Sequence, residues 1–333
     1  MIQRASPPII GQSLPIQRLR TLIAKIGPLD LPVLIQGPTG SGKELVAQAV
    51  HAASGRLGRL VAFNVCAIPD NLLEAALFGH VRGGFTGAHH DVPGYLVEAD
   101  QGTVFFDEIG GLPLALQPKL LRTIETRDFR PVGGRADRHS EFRVVSATNN
   151  QLEPLIQRGD FRADLAYRLR ATVLPVPSLK ARMEDVPLLA DFFLRGARKK
   201  DDPERAIEAA GLDLLLAYDW PGNVRELRYV VETAAALSPE RVLRVADLHE
   251  ALTQGNAGSG PLSECTGARR RVLDALEGAA WDTAAAARAL CVHRATVYRW
   301  MRRVGIDPPR RRVGFASIRA NSHPFAANST LGD

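Results

Sequence analysis

The stretch VLIQGPTGSGKELVAQAVHAAS, residues 33–54, decides the fold of this chain. Residues 33–37 have the apolar pattern of a short buried strand, and ELVAQAVHAAS has the pattern of a helix. Between them, GPTGSGKE fits G-x-x-x-x-G-K. Glycines in such a turn let successive backbone N–H groups and the helix N-terminus point at phosphate oxygens, while Lys43 neutralises the β and γ charges. The stretch therefore predicts a phosphate-binding loop between a strand and a helix.

Further strands are predicted from Gly102 in GTVFFDE and over residues 142–149 in FRVVSATN. Helix-length amphipathic stretches separate them, and strands that alternate with helices predict an α/β fold, a parallel sheet with helices on both faces. The proline-rich stretch 173–187 interrupts this alternation. The chain after it has helical patterns, which predict a small helical subdomain.

Composition divides the chain further. Residues 253–264, TQGNAGSGPLSE, have linker composition, and a compact helical unit follows. The predicted organisation has six parts: a short N-terminal segment 1–8, an α/β subdomain 9–175, a helical lid subdomain 176–250, a linker 251–266, a compact helical unit 267–306 and a disordered basic tail 307–333.

A catalytic pair is predicted at the end of the GTVFFDE strand. Asp107 would lie beside a nucleotide-bound Mg²⁺, and Glu108 would polarise the attacking water. Glu44 stands where the general motif has a Ser or Thr for Mg²⁺, so that Asp107 is the expected metal-side residue. Asn149 could orient the water or sense the γ-phosphate, although an Asn at the end of a strand is more often a turn residue.

Composition also excludes some classes of protein. No run of about 18 apolar residues is present to span a bilayer, and the N-terminus lacks the apolar region of a secretory signal. Three scattered cysteines fit neither a disulfide framework nor a zinc site. These features predict a cytoplasmic protein of two or three domains.

The positive charge lies at one end of the chain. Residues 265–333 contain 12 Arg, no Lys and 5 acidic residues, a net charge of +7, whereas residues 1–264 have a net charge of −1. A basic module on a near-neutral body suggests a polyanionic partner, most simply nucleic acid, and the alternative is a solvated basic tail.

Together these residues resemble the AAA+ ATPase domain of bacterial enhancer-binding proteins, the activators of sigma-54 RNA polymerase. The resemblance covers residues 9–250, and a second one covers 267–306. It rests on blocks in the family's order and spacing: GPTGSGKE, FGHVRGGFTGA, GTVFFDEIG, LQPKLLR, SATN, FRADLAYRL and WPGNVREL. The resemblance implies ATP as the nucleotide and Mg²⁺ as its metal.

The resemblance also implies roles for individual residues. Asn64 would hold Glu108 away from the water, and Arg162 and Arg168 would reach the γ-phosphate of a neighbouring subunit. Arg225 would be the sensor in the lid. The expected nucleotide contacts are Gly37, Pro38, Thr39, Gly40, Ser41, Gly42, Lys43, Glu44, Asp107 and Arg225. The expected sigma-54 contacts are Gly83, Gly84, Phe85, Thr86, Gly87 and Ala88.

The segment WDTAAAARALCVHRATVYRWMRRVGI resembles the Fis-type helix-turn-helix of these activators. Its second helix would enter the major groove of double-stranded DNA. The residues expected near bases or phosphates are His293, Arg294, Thr296, Tyr298 and Arg299. A plain amphipathic helical hairpin is the alternative for this segment.

Four positions depart from the family pattern around the surface loops. Val81 and Val97 replace usual Glu residues, Gly84 replaces Ala, and Pro131 replaces Arg. Nucleotide binding and hydrolysis are therefore expected to be intact, whereas the ionic coupling of the loops to the nucleotide is altered. A pair between Glu98 and either Arg82 or Arg130 could compensate.

The expected function is ATP-driven activation of transcription by dimers that bind upstream DNA and assemble into a ring, with a hexamer as the expected form. About ten residues precede the ATPase domain, so that control is expected either from a separate regulatory protein or from the amount of this protein. One alternative is a DNA-binding repressor or scaffold of the same family that has lost remodelling. Another, a helicase or helicase loader, is disfavoured because those relatives lack the FGH-to-FTGA block.

Overall fold

A computed structural model describes residues 8–85, 87–149, 151–198 and 204–255, and beyond these only the single positions Ala279 and Ala285. The predicted helix-turn-helix with its five DNA-contact residues, and the predicted basic tail, lie outside this part of the chain. Among the described residues, no helix combines the length and the apolarity needed to cross a membrane.

A five-stranded parallel sheet forms the first part of the chain, in the order β2-β3-β6-β1-β7. Its strands are β1 (Val33–Gln36), β2 (Leu60–Asn64), β3 (Thr103–Asp107), β6 (Arg143–Thr148) and β7 (Thr172–Pro175). The short pair β4 (Asp128–Phe129) and β5 (Arg138–His139) forms an antiparallel hairpin beside it. The predicted parallel sheet is confirmed.

Helices cover both faces of the sheet. In chain order they are α1 (Leu14–Ile26), α2 (Lys43–Ala53), α3 (Asp70–Phe78), α4 (Tyr95–Glu98), α5 (Gln117–Thr126), α6 (Glu153–Arg158) and α7 (Ala163–Leu169). Alternate residues of β1 show why two layers are needed: Val33 and Ile35 pack with α1 and α2, and Leu34 packs with the cluster that contains α3 and α5. Both faces of a parallel strand are buried, so its sequence is an almost unbroken apolar run.

Two strands of the sheet were not predicted. Strand β2 is only partly buried at the sheet edge, which weakens its apolar pattern. Strand β7 includes the first three residues of the proline-rich stretch 173–187. The prediction that the alternation of strands and helices stops at residue 173 is therefore wrong by three residues. Pro175 ends this strand at the opposite edge of the sheet, where proline is tolerated because no further strand requires the N–H donor that proline lacks.

The helical lid has its own apolar core. It contains α8 (Val186–Gly196), α9 (Ala209–Ala217), α10 (Asn223–Leu237) and α11 (Val245–Gly255), together with the parallel bridge of β8 (Ala206–Ile207) and β9 (Val242–Leu243). The indole of Trp220 is buried in this core and donates to the carbonyl oxygen of Leu215 at 2.9 Å.

Helix α11 corrects one predicted boundary. The linker was expected from residue 251, but the helix continues to Gly255. Ala251 and Leu252 are buried because they lie one turn after Leu248 and pack with it in the lid core. The first five residues of the predicted linker therefore belong to the lid.

Candidate functional site

The phosphate loop lies between β1 and α2, as its sequence predicts. Gly42 adopts a left-handed conformation with φ 102° and precedes the first residue of the helix, Lys43. Lys43 is only 7% exposed, and its Nζ donates to the carbonyl oxygen of Gly37 at 3.1 Å. The same ammonium lies 3.4 Å from Oε1 of Glu108. The loop therefore places a buried positive charge beside the predicted catalytic carboxylate.

The loop has the features that a phosphate group requires. Ser41 is 4% exposed, and its Oγ has no hydrogen-bond partner within the described residues. Gly40 has φ +77°, and a Cβ there would overlap the carbonyl oxygen of Gly222 in the lid. Backbone donors at a helix N-terminus, a buried lysine and an unpartnered hydroxyl fit the triphosphate of ATP. The predicted contacts Gly37 to Glu44 all belong to this loop and the first turn of α2.

The predicted catalytic pair ends strand β3. Glu108 has φ 54°, an uncommon conformation for a residue other than glycine, and its own N–H donates to Oδ1 of Asp107 at 3.1 Å. Its Oε2 accepts the N–H of Asn149 at 3.2 Å, and Nδ2 of Asn149 lies 3.4 Å from Oγ1 of Thr39. Since β3 and β6 are parallel neighbours, their carboxyl ends bring Asp107, Glu108 and Asn149 to one edge of the sheet beside the phosphate loop.

Asn64 lies in this group but contacts a different carboxylate from the expected one. Its Nδ2 donates to Oδ2 of Asp107 at 3.3 Å, and its Oδ1 accepts the N–H of Cys66 at 2.8 Å. Strands β2 and β3 pair with Asn64 opposite Asp107, so that the amide faces this aspartate. In this conformation the Asn64 amide therefore contacts Asp107, and its expected role toward Glu108 in the ATP-bound state stays a prediction.

Asp107, at the end of β3 beside the phosphate loop, is the carboxylate predicted to lie on the metal side of a nucleotide-bound Mg²⁺. Glu44 does not join it, because its exposed side chain accepts from Nε2 of Gln48 at 3.5 Å one turn along α2. Carboxylate oxygens suit Mg²⁺, which also retains waters and binds phosphate oxygens. When bound, the metal would neutralise charge that develops on the phosphates.

The lid residue Arg225 lies against the phosphate loop. Its backbone N–H donates to the carbonyl oxygen of Gly40 at 3.2 Å, and its side chain is exposed. Arg162 and Arg168 lie on the surface at the two ends of α7, and the Arg162 guanidinium forms an ion pair with Asp164 at 2.7 Å. Their exposure leaves both side chains accessible from outside the molecule.

The predicted sigma-54 loop is fixed at its base by backbone hydrogen bonds. The N–H of Gly83 donates to the carbonyl oxygen of Ala88 at 2.9 Å, which closes the loop on itself. Phe85 is 38% exposed, and its ring packs edge-on against His80 with centroids 4.9 Å apart. Thr86 lies outside the described residues.

A second loop, residues 130–137, packs against this base. The N–H of Val81 donates to the carbonyl oxygen of Val132 at 3.1 Å. The N–H of Val132 in turn donates to the carbonyl oxygen of Gly79 at 2.9 Å. A Cβ on Gly84 would lie 2.6 Å from the Val132 oxygen. The two loops are therefore joined by backbone atoms in close contact.

Two of the four departures from the family pattern, Gly84 and Val97, are explained by their contacts, whereas nothing in the described residues explains Val81 or Pro131. Arg130 pairs with Asp137 at 2.7 Å, within its own loop, so that the suggested pair with Glu98 is not formed. The N–H of Arg82 donates to Oδ1 of Asp91 at 2.8 Å. Val97 packs against the apolar cluster of the sheet, where a glutamate would lose hydration.

Sequence analysis missed several residues that organise the site. Gln117 of α5 is fully buried; its Oε1 accepts the N–H of Arg162 at 2.7 Å, and its Nε2 donates to the carbonyl oxygens of Leu112 and Asp160. Lys119, also in α5, forms an ion pair with Glu74 at 2.9 Å, and its Nζ donates to the carbonyl oxygen of Arg130 at the start of the second loop. A polar residue inside an amphipathic helix carries no sequence signal that separates such contacts from solvent exposure.

Comparison with known families identifies the chain. Residues 9–175 match the model of the sigma-54 interaction domain, and residues 180–264 match that of the AAA+ ATPase lid domain. The chain belongs to the family of sigma-54-dependent transcriptional activators. Its AAA+ ATPase domain is the part that the structure describes. This confirms the resemblance on which the predicted nucleotide site rests.

Individual relatives agree with this family. The chain is 45% identical to the transcriptional regulator VasH of Vibrio cholerae over 68% of this chain and 43% of that protein. It is 40% identical to the transcriptional regulatory protein ZraR of Salmonella typhimurium, over 87% of this chain and 67% of that protein. The chain thus spans about two fifths to two thirds of the length of these two curated relatives.

A solved structure shows the same fold with a nucleotide. NtrX from Brucella abortus in complex with ATP has a TM-score of 0.68 and 29% identity, and the match covers 90% of this chain and 70% of that one. NtrX was also solved with ADP, with a TM-score of 0.66. These complexes support ATP as the nucleotide that fits the loop between β1 and α2.

Proposed function

We propose that this protein hydrolyses ATP to remodel sigma-54 RNA polymerase at promoters and so activates transcription. The observation that carries the proposal is the loop of residues 83–88 with a half-exposed Phe85, joined by backbone to a second loop and presented by a sigma-54 interaction domain. A short glycine-rich loop with one aromatic side chain can change conformation and still supply contact area.

Within one subunit, the residues divide the chemistry among them. Lys43 and the loop amides would hold the triphosphate, Asp107 would lie on the metal side, and Glu108 would take the proton of the attacking water. In the described conformation Glu108 is bonded to Lys43 and to the N–H of Asn149. Hydrolysis therefore requires that Glu108 leave at least one of these contacts and turn toward the water.

The proposed active assembly is a ring of subunits, with a hexamer as the expected form. Arg162 and Arg168 are exposed, and an arginine supplied by a neighbour stabilises the charge of the transition state. Gln117 joins the backbone of Arg162 to the segment that follows Glu108. Through this contact, a movement of the segment after Glu108 on ATP hydrolysis would shift Arg162, which is proposed to face the next subunit.

Movement would reach the loops through α5. This helix follows the segment after Glu108, and its Lys119 bonds both to Glu74 of α3 and to the carbonyl oxygen of Arg130. Helix α3 leads directly into the sigma-54 loop. A shift of α5 would therefore act on both loops together.

The proposed partners are sigma-54 RNA polymerase, double-stranded DNA at upstream sites and further copies of this chain. The DNA contact is assigned to residues 267–306 because of their helix-turn-helix pattern and the Arg-rich composition that continues beyond them.

Transcription from a sigma-54 promoter with purified components tests the proposal. The expected result is ATP-dependent formation of open complexes that Thr86→Ala abolishes while ATP hydrolysis continues. Hydrolysis without open complexes in the wild-type protein would favour the second candidate function, a repressor or scaffold, which the departures at Val81, Val97 and Pro131 motivate. ATP-dependent unwinding of DNA without sigma-54 would favour a helicase.

A further inference from the structure

Three consecutive carbonyl groups of the phosphate loop accept hydrogen bonds from the lid. Their oxygens belong to Thr39, Gly40 and Ser41. The donors are Asn223 Nδ2 to Thr39 at 2.9 Å, Arg225 N to Gly40 at 3.2 Å and Arg182 Nη2 to Ser41 at 3.0 Å. The loop is thus bonded along its outer side by a different part of the molecule.

This arrangement follows from the chemistry of the loop. Its N–H groups must converge on phosphate oxygens, which turns its carbonyl oxygens outward. A carbonyl group that is removed from water needs another hydrogen-bond donor in the protein, because an unsatisfied buried acceptor destabilises the structure. Here the lid supplies the donors, and Gly40 permits the close approach because a Cβ would overlap the carbonyl oxygen of Gly222.

The Asn223 side chain is built into the lid for this contact. It is 3% exposed and has φ 54°, and its Oδ1 accepts the N–H of Leu179 at 2.8 Å. One amide therefore joins the first turn of the lid to the start of α10 and to the phosphate loop.

Arg182 is equally constrained. It is 4% exposed, and its φ of −144° interrupts the 3-10 segment 179–185, which turns the guanidinium toward the loop. The segment is held at its far end by Asp185, which is 1% exposed and accepts from Ser13 N at 2.9 Å and Ser13 Oγ at 2.5 Å. Burial lowers the pKa of Arg182, and the Asp185 carboxylate opposes this shift.

We propose that the lid holds the phosphate loop in its binding conformation through these three donors, with Asn223 and Arg182 as positioning residues for the ATPase reaction. Neither side chain is assigned to the nucleotide itself. A lid that moves away withdraws the donors from three neighbouring carbonyls at once, so that lid position and phosphate-loop order are coupled. The inference concerns the ATPase domain alone and does not depend on the proposed action on sigma-54.

Hydrogen exchange of the nucleotide-free full chain tests this coupling, since local exchange rates measure local opening. Asn223→Asp is the sharpest variant. It retains an acceptor for Leu179 N but replaces the amide donor with an oxygen that faces the Thr39 carbonyl. Arg182→Met removes the donor to Ser41 and keeps an apolar stem. Lys180→Met is the matched control, because Lys180 lies on the same segment with an exposed side chain paired with Asp219.

The expected result is faster exchange, by about tenfold, in peptides that cover residues 37–48 for Asn223→Asp and Arg182→Met, with β3, β6 and α10 unchanged. ATP and ADP should also bind about tenfold more weakly to both variants, because binding must then order the loop. Lys180→Met should match the wild-type protein in all these measurements.

Unchanged exchange in residues 37–48 for Asn223→Asp would overturn the proposal. An equal increase over the whole lid would also overturn it, since the donors would then stabilise the lid and not the loop. If Arg182→Met does not fold, Asn223→Asp alone decides. None of these results bears on open-complex formation, so a failure here is distinguishable from a failure of the proposed function.

Discussion

At the scale of single residues, the carboxylates at the end of β3 have separate partners. Asn64 donates to Asp107, whereas Lys43 and the backbone of Asn149 hold Glu108. In this conformation Asn64 is linked to Glu108 through Asp107, whose Oδ1 accepts the N–H of Glu108. The burial of the Cys66 thiol and the nearby carboxylates of Glu108 and Asp107 raise the pKa of Cys66, which favours an uncharged thiol beside the site.

Replacement of Glu108 separates binding from catalysis. Glu108→Gln keeps the size of the side chain and removes the base, so that kcat for ATP hydrolysis should fall at least about 100-fold while the Kd for ATP changes by less than about threefold. Steady-state hydrolysis and equilibrium binding measure the two quantities. Glu125→Gln, an exposed change on α5, is the control. Hydrolysis at the wild-type rate in Glu108→Gln would show that another group is the base.

Arg143 is the residue whose loss should most affect folding. It is 1% exposed in β6, and its guanidinium donates to the carbonyl oxygens of Ile26 at 3.0 Å, Gly27 at 2.6 Å and Leu31 at 3.3 Å. Arg143→Met leaves the carbonyl groups at the end of α1 without these donors. The free energy of unfolding should decrease by about 3 kcal/mol.

Urea denaturation of the nucleotide-free protein measures the effect of Arg143→Met. The exposed Arg135 provides the matched control, and Arg135→Met should change the free energy of unfolding by less than about 0.5 kcal/mol. Equal stabilities of the two variants would contradict the role of Arg143 as a buried cap of α1.

At the scale of elements, the sequence was sufficient for the parts that carry chemistry. Strands β1 and β3 have short apolar runs that end in polar residues, and the sequence FRVVSATN predicted β6, so that these three strands and the edge where Asp107 and Asn149 meet were identifiable. Strands β2 and β7 escaped prediction because they lie at the edges of the sheet, where burial and therefore the apolar pattern are weaker.

Contacts between distant elements could not be predicted at all. Asn223 and Arg182 bond to the phosphate loop across more than 140 residues of chain. The family pattern assigns the nucleotide to Arg225 in WPGNVREL, and the structure adds a hydrogen bond from the backbone N–H of Arg225 to the loop, which that pattern does not contain. Such contacts follow from how the lid docks on the sheet, which depends on packing and not on any local pattern.

The contact between the two surface loops gives a prediction at this scale. Gly84→Ala places a Cβ 2.6 Å from the carbonyl oxygen of Val132, so that the loops must separate. Hydrogen exchange in residues 79–84 and 130–134 should become about tenfold faster. Gly83→Ala adds the same methyl group into open space at φ +78°, which tests strain within the loop alone. Equal exchange in Gly84→Ala and the wild-type protein would show that the loops do not depend on this contact.

At the scale of the whole molecule, hydrolysis should depend on assembly. Arg162→Ala and Arg168→Ala should each lower kcat at least about 100-fold and leave ATP binding intact, because the arginines act on a neighbour's nucleotide. Arg158→Ala, which removes another exposed arginine with an ion pair to Asp160, is the control and should retain activity.

A mixing experiment shows whether the arginines act between subunits. Lys43→Ala removes nucleotide binding but keeps the arginines, and Arg168→Ala has the reverse defect. Their mixture should recover part of the ATPase rate, since a Lys43→Ala subunit can serve the site of an Arg168→Ala neighbour. No recovery at any mixing ratio would place the arginines within their own subunit.

The central claim is that ATP chemistry between subunits moves the loop of residues 83–88 against sigma-54, and a binding measurement tests it most directly. The full chain is mixed with purified sigma-54 in the presence of ADP and aluminium fluoride, which mimics the transition state of hydrolysis. We predict a stable complex in this state, none with ADP, and none for Phe85→Ala or Thr86→Ala. A protein that hydrolyses ATP but binds sigma-54 in no nucleotide state would contradict the claim.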